Sequence, residues 1–382
     1  MISKRLLVAS LAACWLPVPI VAARTTATGP KQSYDQLLQA AETARNDNRS
    51  DEAVVLFRRA VAEHPESEEA LWYLGTLYYE KQQYGQARDV LRQFMTLRDD
   101  AGPGWAVLGI CEFKLREYPR ALDHLQRAMA QGIGDSKELV EPVLYDLMVL
   151  LTRFERYDES LALLAYGQPD SSFVEPAGLA GLRLPLLPSE LPPDRRELVD
   201  VAGRAVFAME TERYGEAEAG FKQLIAEFPK EPGVHFLYGA FLALQHPDQA
   251  EPEFERELEI SPSHVLARVR LAERMIARQE YDSALELAQQ AIQLDPKRAS
   301  AHAFAGEALI GKGKLADGIK ELEIARAADP SVSKVHWDLM RAYSTVGRKD
   351  DAVQEKQEVE KLLRNKPISL GEAAPQQDSP AK

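Results

Sequence analysis

The sequence predicts an all-α fold, a solenoid of stacked helical hairpins, and three observations predict it. Alanine recurs at Ala53, Ala87, Ala121, Ala217, Ala250, Ala284 and Ala352, in steps of 34 residues from 53 to 87 to 121 and from 250 to 284, with a single step of 33 between 217 and 250. A tyrosine precedes several of these alanines by three residues, at Tyr84, Tyr118, Tyr214 and Tyr281. Proline closes many of the segments, at Pro65, Pro229, Pro262, Pro296 and Pro330. Self-similarity at this period marks supersecondary units that bury their apolar faces only by stacking on one another. A chain of 382 residues is also too long for one comfortable compact core, which favours an array.

The chain opens with Lys4 and Arg5, an apolar run from Leu6, and the small residues Val21-Ala22-Ala23 before Arg24. Residues 1–23 therefore read as an export signal of a bacterial protein, cleaved after Ala23. Leu11-Ala12-Ala13-Cys14 is open to a second reading, a lipobox in which Cys14 carries the lipid and starts the mature chain. A third is a retained anchor, against which Pro17, Pro19 and the short run from Leu6 to Ala23 both speak. Without the leader Cys111 is the sole cysteine, so no intramolecular disulfide can form and packing alone must hold the fold.

Nine units follow, eight of them convincing. They begin near residues 34, 68, 102, 141, 198, 232, 265, 299 and 333. The first carries Ala41, Ala53, Phe57, Ala60 and Pro65, and the second Gly75, Tyr78, Tyr84, Ala87 and Leu91. The third is the clearest, with Trp105-Ala106-Val107-Leu108-Gly109 followed by Tyr118, Ala121, Leu125 and Ala128. The fourth keeps Tyr157 and Leu164 but has Ser160 where alanine is expected, and is the degenerate member. The fifth has Ala205, Tyr214, Ala217, Phe221 and Pro229; the sixth has Gly239, Ala250, Phe254 and Pro262 and is one residue short in its inter-helix turn. The seventh and eighth end at Pro296 and Pro330, with Gly318 replacing the alanine of the eighth. Two antiparallel helices approach closely where side chains are small, so Gly75 and Gly109 are expected to face Ala87 and Ala121. Proline then stops each second helix by removing a backbone donor.

In its large residue at position 4, Leu-Gly at 7 and 8, tyrosines near 11 and 17, alanines at 20 and 27 and proline at 32, the chain resembles the tetratricopeptide repeat family. The resemblance implies a right-handed superhelix of hairpins with a concave face lined by the first helix of each. It also gives a register for the breaks. In the ninth unit position 24 is Lys356, and a largely polar second helix reads as a cap on which nothing stacks. Residues 168–194 hold six prolines, a density that no ordinary helix is expected to survive. The apolar stretch Leu182 to Pro188 is either an ordered crossover along the helices or an extended self-ligand in the protein's own groove. The expected organisation is a leader over 1–23, a first array over 34–167, the crossover over 168–194, a second array over 195–366, and a polar, proline-containing tail over 367–382 that should be disordered.

The function classes narrow accordingly. The net charge of −13, or −15 once the two cations of the leader are removed, repels phosphate backbones and excludes nucleic acid as an expected partner. Ligands of the family lie at positions 2, 5, 9 and 12 of the first helices. Carried over, this gives Trp72, Thr76, Tyr79, Phe113, Tyr145 and Phe236 as a groove for a peptide or partner helix. Glu273 and Glu307 make its C-terminal half acidic, suited to a basic ligand. The two-carboxylate clamp that some relatives use needs Asn at position 9, and no unit has it. His235, His302 and His336 all fall at position 4, where they stand in for the packing tryptophan. No acid or cysteine recurs beside them at ligand spacing, so core packing is expected rather than metal binding. No phosphate loop or nucleophile motif is present, Cys111 reads as a buried small residue, and no catalytic residue, metal or cofactor is expected. The expected function is a non-catalytic interaction scaffold of the cell envelope. The alternative is an accessory subunit that recruits substrate to an envelope enzyme such as a glycosyltransferase or peptidase. The membrane is a partner only through a lipid on Cys14.

Overall fold

In a computed structural model, residues 33–134, 137–166 and 170–364 are described; the leader with Cys14 and Ala23, and the tail over 367–382, lie outside them. The described residues form α-helices and short 3-10 turns with no strand. Eight helices pair to make the first four hairpins: α1 (Tyr34–Asn46) with α2 (Ser50–Glu63), α3 (Glu68–Glu80) with α4 (Tyr84–Leu97), α5 (Gly102–Lys114) with α6 (Tyr118–Gln131), and α7 (Lys137–Arg153) with the short α8 (Tyr157–Ala162). Then come α9 (Val174–Gly181), α10 (Arg196–Glu210) and α11 (Tyr214–Glu227). The remainder are α12 (Val234–Gln245) with α13 (Ala250–Ile260), α14 (Val265–Ala277) with α15 (Tyr281–Leu294), α16 (Ala299–Gly311) with α17 (Leu315–Ala328), and α18 (Ser333–Thr345) with α19 (Lys349–Arg364). Among the described residues no helix is long and apolar enough to cross a membrane.

Side-chain caps and a recurrent turn set these limits. Ser33 caps α1 in a reciprocal capping box with Gln36, and Ser67 caps α3 by accepting from the Ala70 N–H. Tyr34 donates to Ser67 Oγ, tying the start of the first unit to the start of the second. Between the two helices of a unit, position 15 is left-handed: Asn48, Gln82, Arg116, Glu155, Glu212 and Gln279 have φ of 58–63°, and Gly313 and Gly347 have φ of 77° and 78°. The turn closes as a Schellman motif, with Gln83 N–H donating to the Tyr78 carbonyl at 2.9 Å. The sixth unit lacks this residue, and a 3-10 turn over Pro247–Gln249 replaces the motif.

The alanines at position 20 are buried throughout, and position 24 beside them is buried at Leu91, Leu125, Phe221, Phe254, Ala288 and Leu322. Glycine at position 8 meets that second residue. A Cβ on Gly75, Gly109, Gly239 or Gly306 would stand 2.7 Å from Leu91, Leu125, Phe254 or Leu322 respectively. The nearest neighbour of Gly75 and of Gly109 is thus the branched side chain at 24, which reaches back into the gap, while in the eighth unit a Cβ on Gly306 would also meet position 20, at the Gly318 carbonyl oxygen 2.9 Å away. Lys356 is exposed at the same position in α19, while Ala352, Glu355 and Val359 cover the inner side.

The chain divides into two compact units, Met1–Leu224 and Ile225–Lys382, and the division falls inside α11, not at 168–194. Nor is the crossover helix-free, as its prolines suggested. Val174–Gly181 is a helix because Pro176 falls in its first turn, where the missing N–H has no partner to lose. α9 then packs on α10 backbone to backbone. A Cβ on Gly178 would meet the Val199 carbonyl oxygen at 2.1 Å, and one on Gly203 the Val174 oxygen at 2.1 Å. Beyond α9, Arg183 has φ 53° and sits over the Tyr157 ring at 5.0 Å while pairing with Asp158 at 2.8 Å. Arg153 donates to the Pro185 carbonyl at 2.7 Å, and Leu182, Leu187 and Leu191 are buried. The stretch therefore lies against the end of α7 and the start of α8, on the edge of the fourth hairpin.

Within the fourth unit Ser160 is fully buried and its hydroxyl bonds Thr152 Oγ1 and the Met148 carbonyl, both at 2.9 Å. A serine fits the alanine position because its one polar atom has partners.

Candidate functional site

In the first compact unit, α3 carries Trp72, Thr76 and Tyr79, α5 carries Phe113, and α7 carries Tyr145; all five are half-buried. Each ring leans on a second-helix or crossover aromatic. Trp72 meets Phe94 at 5.5 Å between centroids, Tyr79 meets Tyr84 at 6.2 Å, Phe113 meets Tyr118 at 5.8 Å, and Tyr145 stands edge-on to Phe173 at 6.1 Å. Thr76 Oγ1 donates to the Trp72 carbonyl at 3.0 Å, so it turns its hydroxyl to its own helix. The half-exposed side chains of this face are thus aromatic and apolar.

Phe236, in the second unit, is placed differently. It is buried against Phe254 at 5.9 Å and His264 at 4.7 Å and belongs to the core of its own hairpin. The two acids of that half are paired within the chain, Glu273 with Arg270 at 3.0 Å and Glu307 with Lys334.

Two carboxyls on the first unit's face are held far from their ordinary state. Glu42 at position 9 is pushed up to about 7, chiefly by burial and then by the hydrogen bond and charge of Glu69. Asp146, on α7, is also pushed up to about 7 by burial, with Lys114 opposing. Sequence reasoning missed Asp146, although a signal was there: it is the lone charge in Val143-Leu144-Tyr145-Asp146-Leu147-Met148-Val149-Leu150-Leu151. Burial raises Tyr79, Tyr84 and Tyr145 as well, and the charge of Asp146 contributes to each shift. Cys111 is pushed up to about 12 by burial, which leaves a protonated, unreactive thiol.

The histidines at position 4 are core groups with full hydrogen bonding. Nδ1 of His235, His302 and His336 lies 2.6, 2.7 and 2.6 Å from Glu253, Glu321 and Glu355. Nε2 of each lies 3.1, 3.1 and 2.9 Å from the carbonyl of Pro229, Pro296 and Pro330. Trp105 shows why histidine can replace tryptophan here, since its Nε1–H donates to the equivalent Asp99 carbonyl at 2.8 Å. The expectation that no acid recurs beside these histidines is corrected. An acid does recur, 18 or 19 residues on, but it takes one ring nitrogen while the proline carbonyl takes the other, so neither nitrogen is open to a metal.

Three family models match parts of the chain: one described as anaphase-promoting complex, cyclosome, subunit 3, over residues 46–128, and two described as tetratricopeptide repeat, over 240–299 and 275–340. No curated protein matched. Solved structures that resemble it include MamA residues 41 to the end from Desulfovibrio magneticus RS-1, 22% identical with a TM-score of 0.39, covering 44% of this chain and 96% of that one. A MamA RS-1 ArsTM double mutant is 21% identical at TM-score 0.39 over 44% and 96%, and another MamA crystal structure is 17% identical at 0.37 over 42% and 94%. The alanine register, the recurrent left-handed turn between paired helices and the tetratricopeptide matches on the later units agree: this chain is a tetratricopeptide repeat protein.

Proposed function

We propose that this protein is a non-catalytic interaction scaffold that holds a peptide or partner helix against the aromatic face of α3, α5 and α7. One observation carries the reading: Trp72, Tyr79, Phe113 and Tyr145 remain half-buried at family ligand positions, while the equivalent Phe236 is taken into the core. Half-buried rings backed by a second ring lose little freedom on binding and supply apolar area, the properties of interface anchors. The candidate nucleophile and metal ligands are committed to structure, since Cys111 is a buried thiol and both nitrogens of the three histidines have partners.

We further propose that the scaffold works outside the cytoplasm, on the strength of Lys4, Arg5 and the apolar run ending at Ala23. Mass spectrometry of the mature N-terminus tests this, with a start at Arg24 expected; a lipid on Cys14 would place the protein on a membrane, and an intact Met1 would end the proposal. Capture from envelope extract by the wild type and by Trp72→Ala/Tyr79→Ala/Phe113→Ala tests the groove. Partners retained equally by both would put the binding surface elsewhere.

A further inference from the structure

Among the described residues four acids are buried, and three of them have their carboxylates satisfied. Glu112 is bound by Arg92 at 2.7 Å and His124 at 2.6 Å, Glu257 accepts the backbone N–H groups of Gly233 and Phe236 at 2.8 and 3.2 Å, and Glu355 holds Arg326 and His336. Asp146 is as buried as these, at 2% exposure, yet among the described residues nothing donates to its Oδ2. Its one cation, Lys114 Nζ, stands 3.8 Å from Oδ1, beyond hydrogen-bond reach. An ionised carboxylate so placed costs stability, and a buried charge that folding does not need points to a ligand.

The surroundings define that ligand. Lys114 is the last residue of α5, an exposed side chain lying over the Phe113 ring at 4.9 Å, so the cation nearest Asp146 reaches it from the surface. Tyr79 of α3, Tyr84 of α4 and Tyr145 of α7 all sense the Asp146 charge. A carboxylate beside aromatic rings is a site for a cation on an apolar stem. The net charge of −13 draws such ligands toward the protein.

We propose that Asp146 anchors one basic side chain, arginine or lysine, of a peptide held on the aromatic face, and that Lys114 occupies this place in the free protein. This rests on the groove reading above and adds the chemistry of its occupant. Lys114 is then a self-ligand: the incoming base swings it into solvent, donates to Oδ1 and Oδ2, and lays its methylenes against Phe113 and Tyr79.

The probes are pools of end-capped apolar dodecapeptides, randomised except for a fixed central arginine, glutamine or glutamate, titrated by fluorescence anisotropy at pH 8 into wild type, Asp146→Asn, and Trp72→Ala/Phe113→Ala. The arginine pool is expected to bind at least tenfold more tightly than the glutamine pool, and Asp146→Asn to equalise the two without lowering the melting temperature. The preference should also shrink about tenfold from pH 8 to pH 6 as Asp146, titrating at about 7, takes up its proton. Of the groups that interact with it, Tyr79, Tyr84 and Tyr145 are all pushed up and stay neutral over that window, and Lys114 is the opposing cation. Arginine and glutamine pools that bind equally, yet both weaken in Trp72→Ala/Phe113→Ala, would overturn the anchor and leave the groove standing. An arginine preference that survives Asp146→Asn would also overturn it. No binding by any pool would overturn the groove and the anchor together.

Discussion

The histidines of position 4 give the sharpest test of the packing account, because two of them differ in one respect only. In His302→Phe the ring area stays and two hydrogen bonds go. Losing the donor to the Pro296 carbonyl, 3.1 Å away, costs about 0.5–1.5 kcal/mol. Losing the partner of Glu321 costs at most about 1 kcal/mol, because that side chain is 30% exposed and recovers water. The sum is about 2 kcal/mol. His336→Phe loses the same carbonyl bond, but Glu355 is 4% exposed and keeps only Arg326. Leaving the buried Oε2 without its partner adds about 1–3 kcal/mol, so this variant should cost about 1–2 kcal/mol more than the first. His302→Trp should recover about 1 kcal/mol relative to His302→Phe by restoring the carbonyl bond that Trp105 makes to Asp99. Urea denaturation followed by circular dichroism, with hydrogen exchange on α16 to α19 to locate the loss, measures all three. Equal cost for the two phenylalanine variants within about 0.5 kcal/mol, or a tryptophan variant no better than phenylalanine, would refute the reasoning.

Three further outcomes follow from the same geometry. Ala217→Leu should overpack its hairpin and cost about 1–3 kcal/mol, read as a lower urea midpoint. Gly313→Val places a β-branched side chain at φ 77° and should cost about 1–2 kcal/mol, whereas Gln82→Gly at φ 60° should change stability by less than about 1 kcal/mol, because relief of backbone strain offsets added freedom in the unfolded chain. Asp146→Asn should gain stability over the wild type as pH rises. The native carboxyl titrates at about 7 against an ordinary 3.8, so the folded state holds the extra proton between those values and wild-type stability falls as pH climbs through that window. The variant should therefore match the wild type near pH 4 and exceed it by a few kcal/mol at most at pH 8, measured as melting temperature across that range.

The register was legible in the sequence because packing at a helix crossing dictates residue size, and size is written in Gly75, Ala87 and Leu91. That Leu91 leans into the space over Gly75 was not legible, because sequence spacing says which residues are small and not which way a branched side chain leans. Glycine marks the left-handed turn only at Gly313 and Gly347; Asn48, Gln82, Arg116, Glu155, Glu212 and Gln279 share the backbone conformation and no side-chain chemistry. The α9 helix hid behind a proline count, because a proline in the first turn permits the helix that an interior proline breaks. Trp72, Tyr79, Phe113 and Tyr145 could be read from position alone, but the same position gave Phe236, whose burial depends on Phe254 and His264. The glutamates beside His235, His302 and His336 lie across a hairpin, and only folding brings an offset of 18 or 19 residues into contact. Asp146 was visible as a lone acid in an apolar helix, yet its missing donor is a property of the packed unit.

The central claim is that a partner lies on the aromatic face of α3, α5 and α7, and site-specific photo-crosslinking in the native host tests it most directly. A benzophenone side chain at Trp72, Tyr79 or Phe113 should yield the same partner adduct, while one at Val55, exposed on a second helix, should yield none. Adducts from Val55 with none from the three groove positions would contradict the account.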